Sequence, residues 1–388
     1  MKFTIFIRGR GWAFQLANSL NKKDNLDYIV TSYPKFITKK YKIPKNKVKS
    51  VFILEIIVRG IRKIDKFLKK IKIILNPVNI SDILADLIYS KFYKIYSDVY
   101  ILGFGNSTSR LIKFAKKKKI LTIYFLNNSS PKFRSKLKDE YIKLGLIDHY
   151  NKEKISLTER INKNIQDADY VGCISSFQRD SYVEEGILDI NKTLTTIMGV
   201  DKFIFFPKKI KKDKFIIISV GNDFVRKGFK YLIEGFNELN LKNSELWLIG
   251  DLDKNLASKI VKLKKNNFFI NTVNEFDLPN YYNKASIFCL PTLEEGAPAV
   301  ISQAMACGLP IIATKNCQAP DVLDNGKNGF IIEEKNSNDI GEKINFFYSN
   351  PDKMLQMGKA AANYANEKLS YDAMTKNITD FFDKSKKR

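Results

Sequence analysis

"SIFCLPTLEEGAPAVISQAMACGLPIIAT" (residues 286–314) reads as a strand, a loop, a helix and a second strand. "SIFCLPT" is a short apolar run ending in Pro291 and Thr292, and "APAVISQAMACG" has helical periodicity closed by Gly308. "PIIAT" is again a buried run. A helix crossing between two such strands is the unit of a parallel sheet. Glu295, Gly296, Ala297 and Pro298 then occupy the loop and first turn at a strand's carboxyl end. A helix N-terminus presents unpaired amides and the positive end of the helix dipole, which suits anionic or hydroxyl-rich ligands. Small residues at 296 and 297 let a ligand approach the backbone closely. Gln303 follows Glu295 by about two turns, a spacing that puts both on one helix face, where each can grip a different part of an extended ligand.

The alternation continues in both directions. "FTIFI" (3–7), "DYIVT" (27–31), "DVYILG" (98–103), "LTIYFL" (121–126) and "YVGCIS" (170–175) read as buried strands, with helical stretches such as "STSRLIKFAKKKK" between them. "MGVDKFIFFPKKIKKDK" (198–214) has the Gly, Pro and lysine content of an interdomain connection. A second series follows: "KFIIISVG" (214–221), "ELWLIG" (245–250), "FFIN" (268–271), "SIFCLPT", "PIIAT" and "GFII" (329–332). A chain of 388 residues suits two domains. The expectation is an α/β protein of two Rossmann-like doubly wound domains facing across a cleft, residues 1–200 and 201–365, with a C-terminal helix in 366–388 that packs back on the first domain. Ligands of such sheets bind at the carboxyl ends of strands. That singles out two further loops, "RGRG" (8–11) with Gly9, Arg10 and Gly11, and "GNDFVRKG" (221–228).

Charge is unevenly placed. Residues 1–75 hold 19 Lys and Arg against 4 Asp and Glu, so most of the net +25 sits in the first fifth of the chain and faces something anionic. Within it, residues 51–75 place Leu54, Val58, Ile61, Ile64, Leu68, Ile71 and Leu75 at helical spacing, opposite Glu55, Arg59, Arg62, Lys63, Lys66 and Lys70. This is either a membrane-surface helix or a core-facing helix with a solvated basic side, and the pattern leaves both open. Cys173, Cys289, Cys307 and Cys317 form no CxxC pair and fit a reduced cytoplasm. A single histidine, His149, and no cluster at ligand spacing argue against zinc. "GDLD" (250–253) and the Asp167/Asp169 pair read as a solvated loop and a helix end. The apolar run at the start of "MKFTIFIRGRG" is too short for a signal peptide, and no run reaches the ~18 residues of a spanning helix.

Together these stretches resemble the retaining nucleotide-sugar glycosyltransferases of the GT-B fold, the family-4-like group also called glycosyl transferases group 1. Their mark is Glu, seven residues, Glu, then AMACGxP; this chain has Glu295, seven residues, Gln303, then "AMACGLPIIAT" and "DVLDNGKNGFII". The resemblance implies that Glu295 contacts hydroxyls of the donor sugar, that Pro291, Thr292, Gly296, Ala297 and Pro298 line the donor, and that Gln303 approaches the ribose. Gln303 departs from the pattern: an amide accepts from a ribose hydroxyl without the strength of a charged acceptor, so donor affinity or choice is altered.

"SVGNDFVRKGFKYLIEGF" (219–236) resembles the family's strand, Gly-rich loop and basic pair, which implies Gly221 and Asn222 at the donor and Arg226 and Lys227 on its diphosphate. The family arginine usually follows the first Gly, where Asn222 stands. Gly9, Arg10 and Gly11 resemble the glycine-rich loop near diphosphate and acceptor, and fit an ordinary tight strand-to-helix turn equally well. The histidine many members carry after the strand "LTIYFL" is missing from "NNSSPKFR". The implied reaction moves a hexose-type sugar from a UDP- or GDP-sugar to a hydroxyl of a glycan or lipid-linked acceptor, with retention and without metal or cofactor. Its implied setting is envelope polysaccharide or glycolipid synthesis, in the cytoplasm and at the inner membrane face. The same architecture also serves epimerases and phosphorylases, and the three departures fit a relative with lost activity. A nucleic-acid-binding protein is disfavoured by few arginines and no recognisable module.

Overall fold

Runs of Ile, Val, Phe and Tyr favour extended backbone, and where both sheet faces are covered by helices such runs stay apolar throughout. The structure, a computed structural model, describes residues 1–8, 11–68, 77–103, 108–147, 150, 155–252, 268–274, 276–296 and 298–385. Among them the first sheet consists of β1 (Phe3–Ile7), β2 (Leu26–Thr31), β3 (Val48–Ser50), β4 (Val99–Gly103), β5 (Leu121–Phe125), β6 (Tyr170–Cys173) and β7 (Thr193–Thr195), in the order β3-β2-β1-β4-β5-β6-β7. The second consists of β8 (Phe215–Val220), β9 (Ser244–Ile249), β10 (Phe268–Asn271), β11 (Ile287–Leu290), β12 (Ile311–Thr314) and β13 (Gly329–Ile332), in the order β10-β9-β8-β11-β12-β13. Every pairing is parallel. Chain order reverses between β1 and β4 in one sheet and between β8 and β11 in the other, so both are doubly wound α/β units.

The long strands lie where the apolar runs place them. β3 and β7 escape sequence reading because three residues at or near a sheet edge show no periodicity. Each sheet separates two apolar clusters. In the first domain Phe3 and Ile5 pack with Phe14 and Leu20 of the helix Ala13–Lys22 on one face, while Phe6 and Tyr100 pack with Leu54, Val58 and Tyr89 on the other.

Two segments tie the halves together. The helix Leu137–Lys143 lies between β5 and β6 in the chain, yet Leu137 and Tyr141 pack against Phe224, Val225 and Phe229 of the second half. At the other end, Met357 and Ala361 of the helix Pro351–Lys368 pack on the second domain. The chain then crosses back, and Met374, Ile378 and Phe382 of the helix Tyr371–Ser385 join the first domain's core. Phe382 meets Phe3 edge-on at 5.7 Å, and Ser19 Oγ donates to Asp372 at 2.5 Å.

The basic amphipathic segment needs a correction. A helix spans Phe52–Leu68, but its inward face carries Glu55 and Asp65 beside Leu54 and Val58, while Ile64 is exposed. Glu55 therefore does not share a solvated face with Arg59 and Lys63; it turns in to accept from Ser32 Oγ at 3.2 Å. Lys70, Ile71 and Leu75, and the side chains of Arg62, Lys66 and Leu68, lie outside the described residues, as does His149. No helix among the described residues is long and apolar enough to cross a membrane.

The interlocked C-terminal helix makes a stability prediction. Phe382→Ala leaves a cavity against Phe3 and Tyr170 and should lower unfolding stability by about 3 kcal/mol in urea titrations. A loss under about 1 kcal/mol would show that this helix is not part of the first domain's core.

Candidate active site

The loops after β8 and β11 leave neighbouring strands, Ile287 and Phe288 pairing with Ile217 and Ile218. After β8 the chain turns through Gly221 and Asn222 and makes a tight turn at 223–228. Asp223 Oδ1 accepts from Arg226 N at 2.9 Å, and Gly228 adopts a positive φ of 67° before the helix Phe229–Leu239. A Cβ at Gly228 would stand 2.0 Å from the Pro291 carbonyl oxygen, so only glycine fits there. The loop after β11 is sewn to this turn: Thr292 Oγ1 donates to Arg226 O at 3.0 Å and Leu293 N to the same carbonyl at 2.8 Å. Pro291 and Thr292 thus act as scaffold.

That fit directs three charged side chains at one point. Lys227 Nζ lies 2.5 Å from Glu295 Oε2, and the Arg226 guanidinium donates to the same oxygen. Arg226 also donates to Glu294 O at 3.2 Å and lies 3.7 Å from the Glu294 carboxylate. Lys227 is 5 % exposed, so a lysine without a counter-ion here would carry a steep desolvation penalty, and Glu295 removes it. Burial pulls Glu295 toward its neutral form, but Lys227 and Arg226 outweigh it and hold the carboxyl below the usual glutamate range. Burial likewise opposes charge on Arg226, and Glu295, Glu294 and Asp223 outweigh it.

The first domain closes over these loops through polar contacts. Ser129, in the loop after β5, donates from Oγ and N to Glu294 Oε1 at 2.6 and 3.2 Å. Ser175, N-cap of the helix Ser176–Val183, donates to Gly296 O, and Ser176 N donates to Asp321 at 2.8 Å. Asn127 comes so near that a Cβ on Gly296 would lie 2.7 Å from its carbonyl oxygen. Tyr141 OH reaches Asp223 Oδ1 at 2.8 Å.

Other expected residues fall elsewhere. The helix after this loop starts at Ala299, with Pro298 in extended backbone at its cap, so Glu295 stands in the loop and does not share a helix with Gln303. Gln303 Oε1 accepts from Tyr282 OH at 3.3 Å and, with Gly11, lines an interdomain cavity of about 710 Å³. Across that cavity Lys40 Nζ lies 4.7 Å above the Phe276 ring. Asn222 supplies no cation in place of arginine; its Oδ1 accepts from Asp251 N at 3.1 Å and braces the loop after β9. Gly9, Arg10, Ala297 and Asp253 lie outside the described residues. Among the described residues no group of three or more His, Cys, Asp or Glu could hold a metal ion.

Residues 200–364 match the family model of glycosyl transferases group 1. The second domain belongs to that family. The chain is similar to an uncharacterized glycosyltransferase of Haemophilus influenzae, 34% identical over 158 residues, 39% of this chain and 44% of that protein. It is also similar to the capsular polysaccharide biosynthesis glycosyltransferase CapM of Staphylococcus aureus, 33% identical over 35% of this chain and 37% of CapM. These matches span less than half the length of either relative. The GT-B architecture extends over the whole chain. Anabaena Alr3699/HepE, solved in complex with UDP, superposes with a TM-score of 0.68 over 99% of this chain and 100% of its own at 15% identity.

Motif reading passed over Glu294, Asp223 and Ser129, all of which border the charged trio. The Glu294–Glu295 doublet inside an apolar stretch was the available signal for the first. Nothing local marks Ser129 as the partner of a residue 165 positions away.

The trio sets a pH dependence. Because the carboxyl of Glu295 is depressed in the folded state, its contribution is present above its unfolded pKa, about 4.3, and is lost as pH falls through the lower folded value. Glu295→Gln should therefore cost about 3 kcal/mol at neutral pH and leave a shallower acid limb in a plot of unfolding free energy against pH. Parallel limbs would mean the trio does not form in solution.

Proposed function

We propose that the protein is a glycosyltransferase that moves a hexose-type sugar from a nucleotide-diphosphate sugar to an acceptor hydroxyl. One observation carries the reading: Glu295, Arg226 and Lys227 converge from two crossover loops on a single point between the domains. The group 1 domain and relatives named as glycosyltransferases support it.

With the donor bound, its diphosphate offers Arg226 and Lys227 more negative charge than Glu295 does, and takes them over. Glu295, freed and still ionised, accepts from sugar hydroxyls and fixes the ring. As the bond from the anomeric carbon to the phosphate oxygen breaks, charge grows on the leaving diphosphate beside two cations, while the carbon becomes oxocarbenium-like. The acceptor hydroxyl attacks on the same face with retention, and a departing phosphate oxygen takes its proton. No histidine is needed for that transfer, which suits the Asn127–Ser130 loop. Gln303 accepts from the ribose, in the cavity it shares with Gly11 and Phe276.

The donor is a UDP- or GDP-sugar, a reading supported by the solved neighbour holding UDP. The acceptor is a glycan or lipid-linked glycan, supported by the capsule relative and by the basic first domain, which sits at an anionic membrane surface on the cytoplasmic side. No cofactor or metal is required, and nucleic acid is not a partner.

A screen of UDP-, GDP- and ADP-sugars for released nucleotide tests the reading, and at least one donor should turn over. Lys227→Ala should cut that turnover by more than about tenfold, since a charge-assisted contact to the leaving group contributes a few kcal/mol. Release from no donor would point to the lost-activity alternative, which Asn222 and Gln303 favour. Turnover unchanged in Lys227→Ala would remove the trio from catalysis.

A further inference from the structure

Two packed helices of the first domain, Phe52–Leu68 and Pro77–Phe92, share an unusual division of side chains. All four of their carboxylates turn inward: Glu55, Asp65, Asp82 and Asp86 are 9, 5, 2 and 1 % exposed. Each buried acid needs compensation, and three of the arrangements are plain. Asp82 lies 2.5 Å from Arg8 Nε, Asp86 accepts from Arg110 N and Leu111 N at 3.0 and 3.2 Å, and Glu55 accepts from Ser32 and Arg59. Outward the helices show the reverse. Ile53, Ile56, Ile57 and Ile64 follow one another at helical spacing and stand 58, 50, 39 and 54 % exposed, joined by Ile83 and Leu87 on the second helix. Among the described residues, Arg59, Lys63 and Lys91 are exposed charges beside them. A helix facing water keeps its carboxylates outside and its isoleucines inside; this pair does the opposite.

We infer that this face is an interfacial docking surface that inserts the Ile53, Ile56, Ile57 and Ile64 ridge into the headgroup and acyl boundary of an anionic bilayer. The one-sign charge decides the occupant. An outer face of isoleucine, arginine and lysine without a carboxylate complements anionic lipid, and residues 1–75 reinforce it with 19 basic side chains against 4 acidic ones. Attachment through apolar insertion differs from adsorption by charge alone, because salt screens the second and strengthens the first. The surface also has a place in the proposed reaction, on whose lipid-linked acceptor this part rests. Asp82 grips Arg8, and Tyr89 OH donates to Ile7 O at 3.2 Å, at the end of β1, and Gly11 lines the interdomain cavity. A bilayer bound to these helices lies one element away from the cleft.

The test is co-sedimentation with vesicles of equal parts phosphatidylcholine and phosphatidylglycerol, at low salt and at about 0.5 M salt. The wild-type protein should stay bound at high salt. Ile56→Asp with Ile57→Asp should lose binding more than about tenfold at both salts, with thermal unfolding unchanged. Ile56→Trp keeps an apolar side chain, and its added emission should shift to the blue with vesicles, which guards against a misfolded aspartate variant. Wild-type binding that vanishes at high salt, or an aspartate variant that binds as the wild type does, would overturn the inference. So would a protein that ignores vesicles but changes from dimer to monomer in the aspartate variant, since a second copy would then cover the ridge. None of these readouts uses sugar transfer, so a failed donor screen leaves the docking result standing.

Discussion

The adjacency of β8 and β11 at the point where strand order reverses is the constraint on which the site depends. Nothing in sequence distance brings Lys227 to Glu295; two parallel strands about 4.8 Å apart do, because their following loops leave the same sheet edge side by side. Gly228 then removes the last obstacle. With a side chain there, the turn after β8 could not lie on the Pro291 carbonyl, and the cations of that turn would be held off the carboxylate.

Electrostatics links the contacts of Glu295 to the reaction proposed for it. Two cations in a largely buried cleft need anionic partners at all times; Glu295 is one, and in the proposed reaction the donor diphosphate takes its place. Glu294, one residue earlier and almost fully buried, does a second job. It receives Ser129 from the first domain, so the loop that carries Glu295 also carries a hydrogen bond between the domains. The hydrogen bonds across the cleft come from Ser129, Tyr141, Ser175 and Ser176, and water can replace them when the domains part.

Much of this was legible in the sequence where burial dictates residue type. Strands such as Phe3–Ile7 and Phe268–Asn271 coincide with their apolar runs, and the βαβ unit around residue 295 follows from strand, loop and helix signals. The charged trio was readable because Gly, Lys and Glu keep motif spacing. What escaped depends on contacts distant in sequence. The helix Phe52–Leu68 has apolar residues on two sides, so periodicity alone could not say which side the core would take; the inward pull of Arg8 on Asp82 in the neighbouring helix belongs to the tertiary fold. Gln303 was read as sharing a helix with Glu295, whereas extended backbone at Pro298 delays the helix until Ala299.

The central claim is that Glu295 holds a place the donor diphosphate takes over. A crystal structure of the protein with a non-hydrolysable nucleotide-diphosphate sugar tests it most directly. The account predicts phosphate oxygens within hydrogen-bond distance of Lys227 Nζ and the Arg226 guanidinium, with Glu295 turned from both onto the sugar hydroxyls. A nucleotide bound elsewhere, with the contacts of Lys227 and Arg226 to Glu295 intact, would contradict it.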